Sequence, residues 1–360
     1  MNILIVRVSS LGDVVHTLPA ISLLQQQLPQ AKIHWLVQNK AAEIVHLHKG
    51  ITKVWQIPDN YLYPRHWRTM YKTIKQLRTY QWDAIIDFQG LIKTTIITTL
   101  LNGPVFGFNQ QHARSRITST FSTHTTDAYY TNIIQKNLTL ASYVCSHLTQ
   151  QHSSPSLINL TNPTIFTYSQ DCVTTVTSWL SENNINNHLL ISPNTTWESK
   201  HWPLEYWQEF LTSLSLHTTE LSITPILIGN MFGYQGTALA EFITTQQLPI
   251  KILPQWSLSN LTYLINQTHL LIAPDTGLLH LADFLGRNTI GIFGPTLASK
   301  HGPFLHPDNI RNNIQIACSH RYAKKHAKNP NTGQNDTCMY TLTPNTLMHH
   351  VMHQLAHNKQ

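Results

Sequence analysis

Short apolar runs alternate with segments of helical period along the whole chain. The runs lie at residues 2–8, 32–37, 84–88, 105–108, 189–192, 225–229, 250–253, 270–273 and 289–293. Between them lie segments with apolar positions every three or four residues, such as 14–28, where Pro29 ends the pattern. Such alternation is typical of repeated βα units around a parallel sheet, so the sequence predicts an α/β fold.

Turn-forming residues interrupt this alternation near the middle of the chain. Pro155 and Pro163 lie in a stretch rich in serine, threonine and asparagine, which is typical of a linker. The 360 residues, 41% of them hydrophobic, suffice for two cores. We predict two Rossmann-like domains, at residues 1–160 and 161–343, and a terminal helix at 344–360 for which packing back on the N-terminal domain is one option.

Polar residues cluster where the apolar runs end. The segment SSLGD follows the first run at residues 9–13, DFQGL spans residues 87–91, and DTG follows a later run at residues 275–277. Parallel sheets bind ligands at the carboxyl ends of their strands. We therefore expect the two domains to present these segments to a central cleft.

Asp13 has two interpretations. A carboxylate at the carboxyl end of a strand can act as a general base toward a hydroxyl group. Aspartate is also a common N-cap, here of a helix that begins near Val14. Ser10 and Gly12 make a turn that suits the close approach of a ligand, although a single glycine is weak evidence. The sequence leaves both roles of Asp13 open.

Two features of the second half suit a phosphate. Lys200 lies between a buried run and a helix opened by Pro203, where a lysine can pair with a diphosphate, although a surface lysine is the commoner explanation. The helix after Asp275 would offer backbone N–H groups and a positive dipole end to an anion. Asp275 itself would accept hydrogen bonds from sugar hydroxyls.

Arginines on two loops of the first half form another candidate group. A cradle for phosphate or carboxylate groups would be made by Arg65, Arg68, Arg114 and Arg116, with solvated surface arginines as the alternative. Gln89, in the turn at 87–91, either touches a substrate or helps to cap the next helix. The basic segment 321–328 either contacts acidic lipid or substrate phosphate, or is a solvated loop.

Composition narrows the classes of function. The net charge of +7 arises from only 11% charged residues and favours anionic partners, but no basic stripe interleaved with aromatic residues indicates nucleic-acid binding. The 4 cysteines form no CxxC pair. Four histidines share part of one face of the terminal helix without a carboxylate or thiolate partner: His349, His350, His353 and His357. We therefore predict no metal site.

Targeting and cofactor motifs are missing from the sequence. The N-terminal apolar run is too short for a signal peptide and lacks its basic start, and no window approaches the roughly 18 apolar residues of a membrane span. We predict a cytoplasmic location, peripheral to the membrane at most. The sequence also lacks GxxxxGK[ST], GxGxxG and GxSxG, which removes the main support for an ATPase, a dehydrogenase or a serine hydrolase.

Five motifs follow one another along the chain: ILIVRVSSLGDVVHTLPA at residues 3–20, WDAIIDFQGL at 82–91, KHWP at 200–203, DTGLLHLA at 275–282 and FGPT at 293–296. Together they resemble the lipopolysaccharide heptosyltransferase family of ADP-heptose-dependent glycosyltransferases. The first motif most resembles the heptosyltransferase I branch, whereas Cys318 and Cys338 are similar to the C-terminal region of heptosyltransferase II. The resemblance covers nearly the whole chain and implies the GT-B fold, with two Rossmann-like domains facing a central cleft.

The resemblance also implies an activity and a site. The activity is inverting transfer of L-glycero-D-manno-heptose from ADP-heptose to Kdo of Kdo-lipid A, at the inner face of the cytoplasmic membrane and without a metal or other cofactor. Asp13 would be the base, Lys200 would neutralise the leaving diphosphate, and Asp275 would hold heptose hydroxyls. Further donor residues would be Thr196, Thr276, Gly277 and His280, and acceptor residues would be Ser10, Gly12, Arg65, Arg68, Gln89 and Arg114.

Other functions remain open at this point. An acidic residue that often meets the nucleotide ribose in this family is absent from residues 230–235, which leaves recognition of the ribose and base unassigned. A related heptosyltransferase acting on a second core heptose or on a protein is one alternative. A non-catalytic GT-B scaffold that binds a sugar nucleotide is another, although Asp13, Lys200 and Asp275 together favour an enzyme.

Overall fold

The computed structural model describes residues 1–150, 165–229, 233–325 and 338–357. The predicted linker, the predicted boundary at 160/161, residues 230–232 and the end of the basic segment 321–328 lie outside the described residues. The chain forms two compact units, Met1–Thr167 and Tyr168–Gln360. The first unit extends to Thr167 because Thr167 N donates to Leu47 O at 2.8 Å, which ties this segment to the N-terminal half.

The first unit is a parallel sheet with helices between its strands. Its strands are β1 (Asn2–Val6), β2 (Lys32–Gln38), β3 (Lys53–Ile57), β4 (Ala84–Asp87), β5 (Val105–Phe108) and β6 (His124–Thr126). Its helices are α1 (Leu11–Val15), α2 (Leu18–Gln27), α3 (Asn39–Leu47), α4 (Trp67–Leu77), α5 (Ile92–Thr98) and α6 (Ile133–Thr149), with 3₁₀ turns at Pro64–His66 and Arg116–Phe121.

The second unit has the same plan. Its strands are β7 (His188–Ile191), β8 (Thr224–Leu227), β9 (Lys251–Ile252), β10 (Leu270–Pro274), β11 (Asn288–Phe293) and β12 (Asn313–Gln315). Its helices are α7 (Gln170–Glu182), α8 (Leu204–Leu216), α9 (Thr218–Leu221), α10 (Tyr234–Thr245), α11 (Leu258–Ile265), α12 (Gly277–Phe284), α13 (Ala298–His301), α14 (Pro307–Arg311) and α15 (Pro344–His357). Turns of 3₁₀ helix lie at Glu198–Lys200 and Cys338–Thr341.

Both sheets have the strand order of a Rossmann fold. The first runs β3-β2-β1-β4-β5-β6 and the second runs β12-β11-β10-β7-β8-β9, and every pairing is parallel. The central strands are apolar along their whole length because helices cover both faces of such a sheet. In β10, for example, all five residues are buried. The predicted α/β fold class, with two Rossmann-like domains, is confirmed.

The predicted helix over residues 14–28 is wrong in its bounds. Helical hydrogen bonding already begins at Ser10, whose carbonyl accepts from Val14 N at 2.9 Å, so α1 starts at Leu11 and includes Gly12. The helix then breaks around Thr17, and α2 restarts with Pro19 near its N-terminus. Proline has no N–H to donate to the preceding turn, which accounts for the break.

The terminal helix packs against the core of the second unit. Leu347, Val351 and Leu355 of α15 are buried in the same core cluster as Trp202 and Trp207. The indole Nε1 of Trp202 donates to Leu342 O at 2.9 Å, just before the helix. Apolar burial against α8 therefore holds α15 to the second unit.

Candidate active site

Each sheet has one place where successive strands begin to add in the opposite direction. In the first sheet this place lies between β1 and β4, and in the second it lies between β7 and β10. Ligands of Rossmann-type sheets bind at such a switch point, beyond the carboxyl ends of the strands. Asp13 and Gln89 follow β1 and β4, and Lys200 and Asp275 follow β7 and β10.

In the first unit, Asp13 lies in the first turn of α1. Ser10 is the N-cap of this helix, so Asp13 is its third residue and is not the N-cap that the sequence suggested. The Oδ2 atom of Asp13 accepts from Ser10 N at 3.3 Å, which helps to satisfy the N-terminus of the helix. Asp13 therefore has a structural role even without a substrate.

Two arginines bind the Asp13 carboxylate. Arg7 Nη2 donates to Oδ1 at 2.8 Å, and Arg7 is 1% exposed. Arg114 donates from Nη2 to Oδ1 at 2.8 Å and from Nη1 to Oδ2 at 3.1 Å, while its side chain is 39% exposed. One guanidinium is thus enclosed by the protein and the other is open to solvent.

The electrostatic environment keeps Asp13 ionised. Burial alone would raise the pKa of Asp13, but attraction from the Arg7 and Arg114 guanidinium groups outweighs it, and the pKa lies well below its usual range. A carboxylate with such a low pKa holds a proton poorly. For Asp13 to accept a proton, part of this positive charge must be removed or redirected.

The turn after β4 is built around Asp87 and tied to the turn after β1. Asp87 Oδ1 accepts from Gln89 N and Gly90 N, both at 3.0 Å. Gln89 Oε1 in turn accepts from Val8 N at 3.2 Å and Ser9 N at 3.3 Å. Gln89, expected at the acceptor, is 2% exposed, and its observed contacts fix the two turns against each other.

The other predicted arginines lie further along the sheet. Arg65 and Arg68 follow β3, the edge strand two positions from β1. Arg65 Nε donates to His66 Nε2 at 3.0 Å, and its guanidinium lies 5.4 Å from the centre of the Tyr63 ring. The structure therefore joins Arg114 to Asp13 and places Arg65 and Arg68 on a separate, solvated part of the same edge of the sheet.

In the second unit, Lys200 and His280 hold the two oxygens of Asp275. Lys200 Nζ lies 2.6 Å from Oδ2, and His280 Nε2 lies 2.9 Å from Oδ1. Burial would raise the pKa of Asp275, but the hydrogen bond from His280 and the attraction of Lys200 outweigh it, and the pKa lies well below its usual range. His280 is 4% exposed and lies on the buried side of α12. It therefore contacts Asp275 from the protein interior.

The loop that carries Lys200 is anchored at several points. Lys200 Nζ lies 4.6 Å from the centre of the Trp197 ring, a cation–π contact that helps to fix the ammonium group. Ser199 N donates to Lys324 O at 3.2 Å, so part of the basic segment 321–328 borders this loop. Thr196, a predicted donor residue, lies on the exposed part of the same loop.

Two buried hydroxyl groups that follow carboxyl ends of strands in the second unit have no hydrogen-bond partner among the described residues. Thr276 Oγ1 lies at the N-cap of α12, where Gly277 begins the helix, and Thr296 Oγ1 lies in the turn after β11. Buried hydroxyls normally have a partner. Because both follow carboxyl ends of neighbouring strands, they are suited to a polar ligand at the edge of the sheet that also carries Asp275.

The sequence interpretation gave no role to Arg7, and it singled out Thr296 and Arg321 only as members of the segments 293–296 and 321–328. Arg7 interrupts an otherwise apolar strand run, which is itself a signal because a buried arginine needs an anionic partner. Arg321 Nη1 donates to Gly294 O at 2.8 Å, so the start of the basic segment 321–328 contacts the turn after β11. The spacing of residues along the chain indicates neither the contact of Arg7 with Asp13 nor that of Arg321 with Gly294.

Neither a cluster of metal ligands nor a membrane-spanning helix is present in the described ranges. No group of three or more His, Cys, Asp or Glu side chains there is placed to hold a metal ion. Within the same ranges, no helix has both the length and the apolar character needed to cross a bilayer.

Comparison with known proteins identifies the family. The model of glycosyltransferase family 9 (heptosyltransferase) matches residues 70–335. The chain belongs to this family. It is therefore a glycosyltransferase, and the predicted family resemblance is confirmed.

Individual family members agree with this assignment. Lipopolysaccharide heptosyltransferase 1 of Escherichia coli (strain K12) is 27% identical over 308 residues, which are 82% of this chain and 88% of the relative. The structure of E. coli heptosyltransferase WaaC with ADP-2-deoxy-2-fluoro heptose has a TM-score of 0.71 at 22% identity and covers 98% of this chain and 99% of that one. E. coli ADP-heptose lps heptosyltransferase II also has a TM-score of 0.71, at 16% identity, and covers 100% of both chains. At these identities the two structures show a common fold.

Proposed function

We propose that this chain is an inverting heptosyltransferase that transfers L-glycero-D-manno-heptose from ADP-heptose to Kdo of Kdo-lipid A, in assembly of the inner core of lipopolysaccharide. The observation that carries the proposal is the Lys200–Asp275 pair, 2.6 Å apart beside the N-terminus of α12 at the switch point of the second sheet. Similarity to lipopolysaccharide heptosyltransferase 1 over 82% of the chain supports the choice of sugar and acceptor.

The second unit supplies the groups that a sugar nucleotide requires. Lys200 offers a positive charge to the diphosphate, and the backbone N–H groups at Thr276 and Gly277 offer hydrogen bonds at the positive end of α12. The Asp275 carboxylate has lone pairs left for sugar hydroxyls after binding Lys200 and His280. In this proposal His280 orients Asp275, and Thr196 borders the donor from the exposed side of the loop.

The reaction forms a glycosidic bond and breaks the glycosyl phosphate bond of ADP-heptose. The oxygen of a Kdo hydroxyl attacks the anomeric carbon of the heptose from the face opposite the diphosphate, which inverts the configuration. The bond from that carbon to the diphosphate oxygen breaks, and ADP leaves with the electron pair. The Asp13 carboxylate takes the hydroxyl proton. Lys200 and the helix N-terminus stabilise the charge that grows on the diphosphate, a task for which other glycosyltransferases use a metal ion.

We also propose that the acceptor weakens one of the two ion pairs of Asp13. Kdo carries a carboxylate and lipid A carries phosphates, and either anion can attract the exposed Arg114 guanidinium. Partial release of Arg114 would raise the pKa of Asp13 toward its usual range, while Arg7 keeps the carboxylate in position. Ser10, Gly12 and Gln89 would shape the turn around the acceptor sugar, and Arg65 and Arg68 would meet more distant phosphates.

The two units would divide the substrates between them. We propose that the unit Met1–Thr167 binds the acceptor and that the unit Tyr168–Gln360 binds the nucleotide sugar, as in a GT-B enzyme. Because lipid A is anchored in a bilayer, the enzyme would act as a peripheral protein at the cytoplasmic face of the membrane. No nucleic acid and no resident metal or other cofactor has a part in this proposal.

The decisive experiment follows both products of one incubation. Purified protein is mixed with ADP-heptose and Kdo-lipid A, and the acceptor mass and ADP release are measured for wild type, Asp13→Asn and Asp83→Asn. Asp83 lies just before β4, at the opposite end of that strand from Gln89, and serves as the matched control. We expect one added heptose per ADP released, a loss of about 10²- to 10⁴-fold in Asp13→Asn, and wild-type rates in the control.

Other outcomes select the alternatives. Transfer only to an acceptor that already carries heptose, or only to a protein, would reassign the acceptor. Binding of ADP-heptose with no transfer to any of these acceptors would favour a non-catalytic scaffold. No binding of ADP-heptose would contradict the proposal as a whole.

A further inference from the structure

One helix of the first unit exposes an apolar stripe. On and just after α5, Ile92, Ile96 and Leu100 follow one another at intervals of four residues, which places them on one helical face, and they are 55%, 56% and 45% exposed. Single exposed apolar residues are ordinary, whereas a row of them indicates a surface that another molecule covers.

A neighbouring element extends the stripe. The 3₁₀ turn Arg116–Phe121 packs against α5. It exposes Ile117 to 54% and Phe121 to 52%. The apolar surface therefore spans two elements that are in contact.

Helix α4 covers the same face of the sheet as α5. Met70 of α4 and Ile97 of α5 are buried in one core cluster, so the outer sides of both helices face the same solvent region. The outer side of α4 presents Trp67 and Tyr71, which are 62% and 67% exposed. Tryptophan and tyrosine are enriched where proteins meet the boundary between water and lipid, because their rings are apolar and their polar groups stay hydrated.

The same elements carry only positive charge. Their charged residues are Arg68, Lys72, Lys75, Lys93 and Arg116, and none of the three elements contains aspartate or glutamate. A surface with this composition is attracted to an anionic partner. A second copy of the same surface is a poor partner because the like charges would face each other across a symmetric interface.

We propose that the outer side of α4, α5 and the 116–121 turn, here called the basic apolar face, docks on an anionic phospholipid bilayer. Aromatic and aliphatic side chains would enter the headgroup region while lysines and arginines contact lipid phosphates. The inference deepens the proposed function, on which its purpose rests, since an acceptor anchored in a membrane requires an enzyme that works at its surface. The observations that define the surface, its exposed apolar side chains and its positive charge, do not depend on that function.

Vesicle sedimentation tests the proposal directly. The full-length protein is mixed with sucrose-loaded vesicles of phosphatidylcholine, either alone or with phosphatidylglycerol. The variants are Ile92→Ser/Ile96→Ser for the apolar part and Lys72→Gln/Lys75→Gln for the charge. Leu216→Ser is the apolar control, because Leu216 is 79% exposed at the end of α8 in the other unit. Lys40→Gln/Lys49→Gln is the charge control, on and after α3.

We expect wild type and both controls to sediment with the anionic vesicles and to remain in solution with the neutral ones. The double serine variant should lose roughly tenfold or more of its partition coefficient, given the apolar area removed. The double glutamine variant should lose about fivefold per lysine, and added salt should weaken binding of the wild type. Equal binding to both vesicles, or equal binding by the surface variants and their controls, would overturn the proposal.

Two further measurements separate this proposal from its alternatives. Transfer to a deacylated, water-soluble Kdo acceptor is assayed for every variant and should match wild type, since these residues lie outside the proposed catalytic groups. Loss of vesicle binding with normal transfer supports the basic apolar face, whereas vesicle binding by a protein without transfer activity retains the face and rejects the proposed function. If size-exclusion chromatography shows a dimer that Ile92→Ser/Ile96→Ser dissociates, a second copy covers the face and the membrane proposal is wrong.

Discussion

The Asp13 carboxylate and the Arg114 guanidinium form a two-pronged ion pair, with Oδ1 2.8 Å from Nη2 and Oδ2 3.1 Å from Nη1. Arg7 also binds Oδ1, at 2.8 Å. The two arginines differ in exposure, 39% for Arg114 against 1% for Arg7. An anion in solvent can therefore reach Arg114 but not Arg7, so in the proposed reaction Arg114 is the arginine that would exchange Asp13 for an anionic group of the acceptor.

Replacing Arg114 with glutamine should change the pH dependence of transfer. The remaining cation, Arg7, still lowers the pKa of Asp13, but less than both arginines together, so the pKa of Asp13 should rise. The pH profile of kcat/KM for the acceptor reports ionisation in the free enzyme. Its acidic limb should move to higher pH, because Asp13 would lose its proton at a higher pH. We expect kcat/KM at neutral pH to fall roughly 10- to 100-fold, because the charged contact that we propose between Arg114 and the acceptor is lost.

The neighbouring Arg116 provides a control for that experiment. It lies two residues away, on the exposed 116–121 turn. With a water-soluble acceptor, Arg116→Gln should keep both the acidic limb and the rate of wild type. An acidic limb that stays in place in Arg114→Gln would show that Arg114 does not control the ionisation of Asp13.

Lys200→Gln should impair the chemical step more than substrate binding. The ammonium group lies 2.6 Å from Asp275 and 4.6 Å from the centre of the Trp197 ring, so it is held before substrate arrives. Charge that grows on the leaving diphosphate interacts with it most strongly in the transition state. We expect kcat to fall about 10²- to 10³-fold, measured as ADP release at saturating substrates.

A lysine near the same loop is the control for Lys200. Lys325 Nζ pairs with Glu198 at 3.3 Å, but its side chain is 80% exposed. Exposed ion pairs contribute little, so Lys325→Gln should keep close to wild-type kcat and thermal stability. Similar losses in both variants would indicate that general positive charge, and not the position of Lys200, assists the reaction.

Removal of the buried hydroxyls of Thr276 and Thr296 should weaken binding of ADP-heptose without lowering the stability of the fold. Each is replaced by valine, which keeps the shape and removes a hydroxyl that has no protein partner in the described residues. The melting temperature should stay the same or rise, because an unpaired buried polar group is removed. The KM for ADP-heptose should rise roughly 2- to 10-fold if each hydroxyl bonds to the donor.

Thr289 makes a matched control for both threonines. Its Oγ1 is likewise buried without a partner in the described part of the chain, but it lies near the amino end of β11, away from the ligand-binding edge. Thr289→Val should leave the KM for ADP-heptose unchanged. Equal values of KM in all three variants would contradict a donor contact by Thr276 and Thr296.

The sequence predicted the central strands because helices cover both of their faces and make them uniformly apolar. It missed β3, β6 and β12, which are three of the four edge strands; the fourth, β9, falls within the predicted run 250–253. In β3, for example, Lys53 and Gln56 are exposed, and β6 is the three-residue segment His124–Thr126. Edge strands are often short and carry charge, so their sequences lack the apolar run on which the prediction depends.

The candidate site was predictable in position but not in its contacts. A parallel sheet gathers the carboxyl ends of its strands at one edge, which is why Asp13, Gln89, Lys200 and Asp275 could be selected from strand ends. Their partners depend on tertiary structure, since Arg114 is 101 residues from Asp13 and Lys200 is 75 residues from Asp275. No local pattern encodes a pairing at such a distance.

Asp87 connects the site to the stability of the first unit. Its carboxylate is 5% exposed and accepts from Gln89 N, Gly90 N and the Thr94 hydroxyl. Burial raises the pKa of Asp87 to about 6, although these hydrogen bonds oppose the shift. The ionised carboxylate is thus less favourable in the folded protein than in the unfolded chain.

This shift gives Asp87 a pH dependence of defined sign. Between about pH 4, its usual pKa, and pH 6, the folded protein holds more protons than the unfolded chain, so stability falls as pH rises through that window.

In Asp87→Asn the side chain stays neutral and its oxygen still accepts from Gln89 N and Gly90 N. We expect the melting temperature of this variant, relative to wild type, to increase from pH 4.5 to pH 7.5. Taking the difference cancels Asp13 and Asp275, whose pKa values are lowered and whose stabilisation is lost only as pH falls below about 4. A difference that does not vary with pH would show that Asp87 is ionised at no cost in the folded protein.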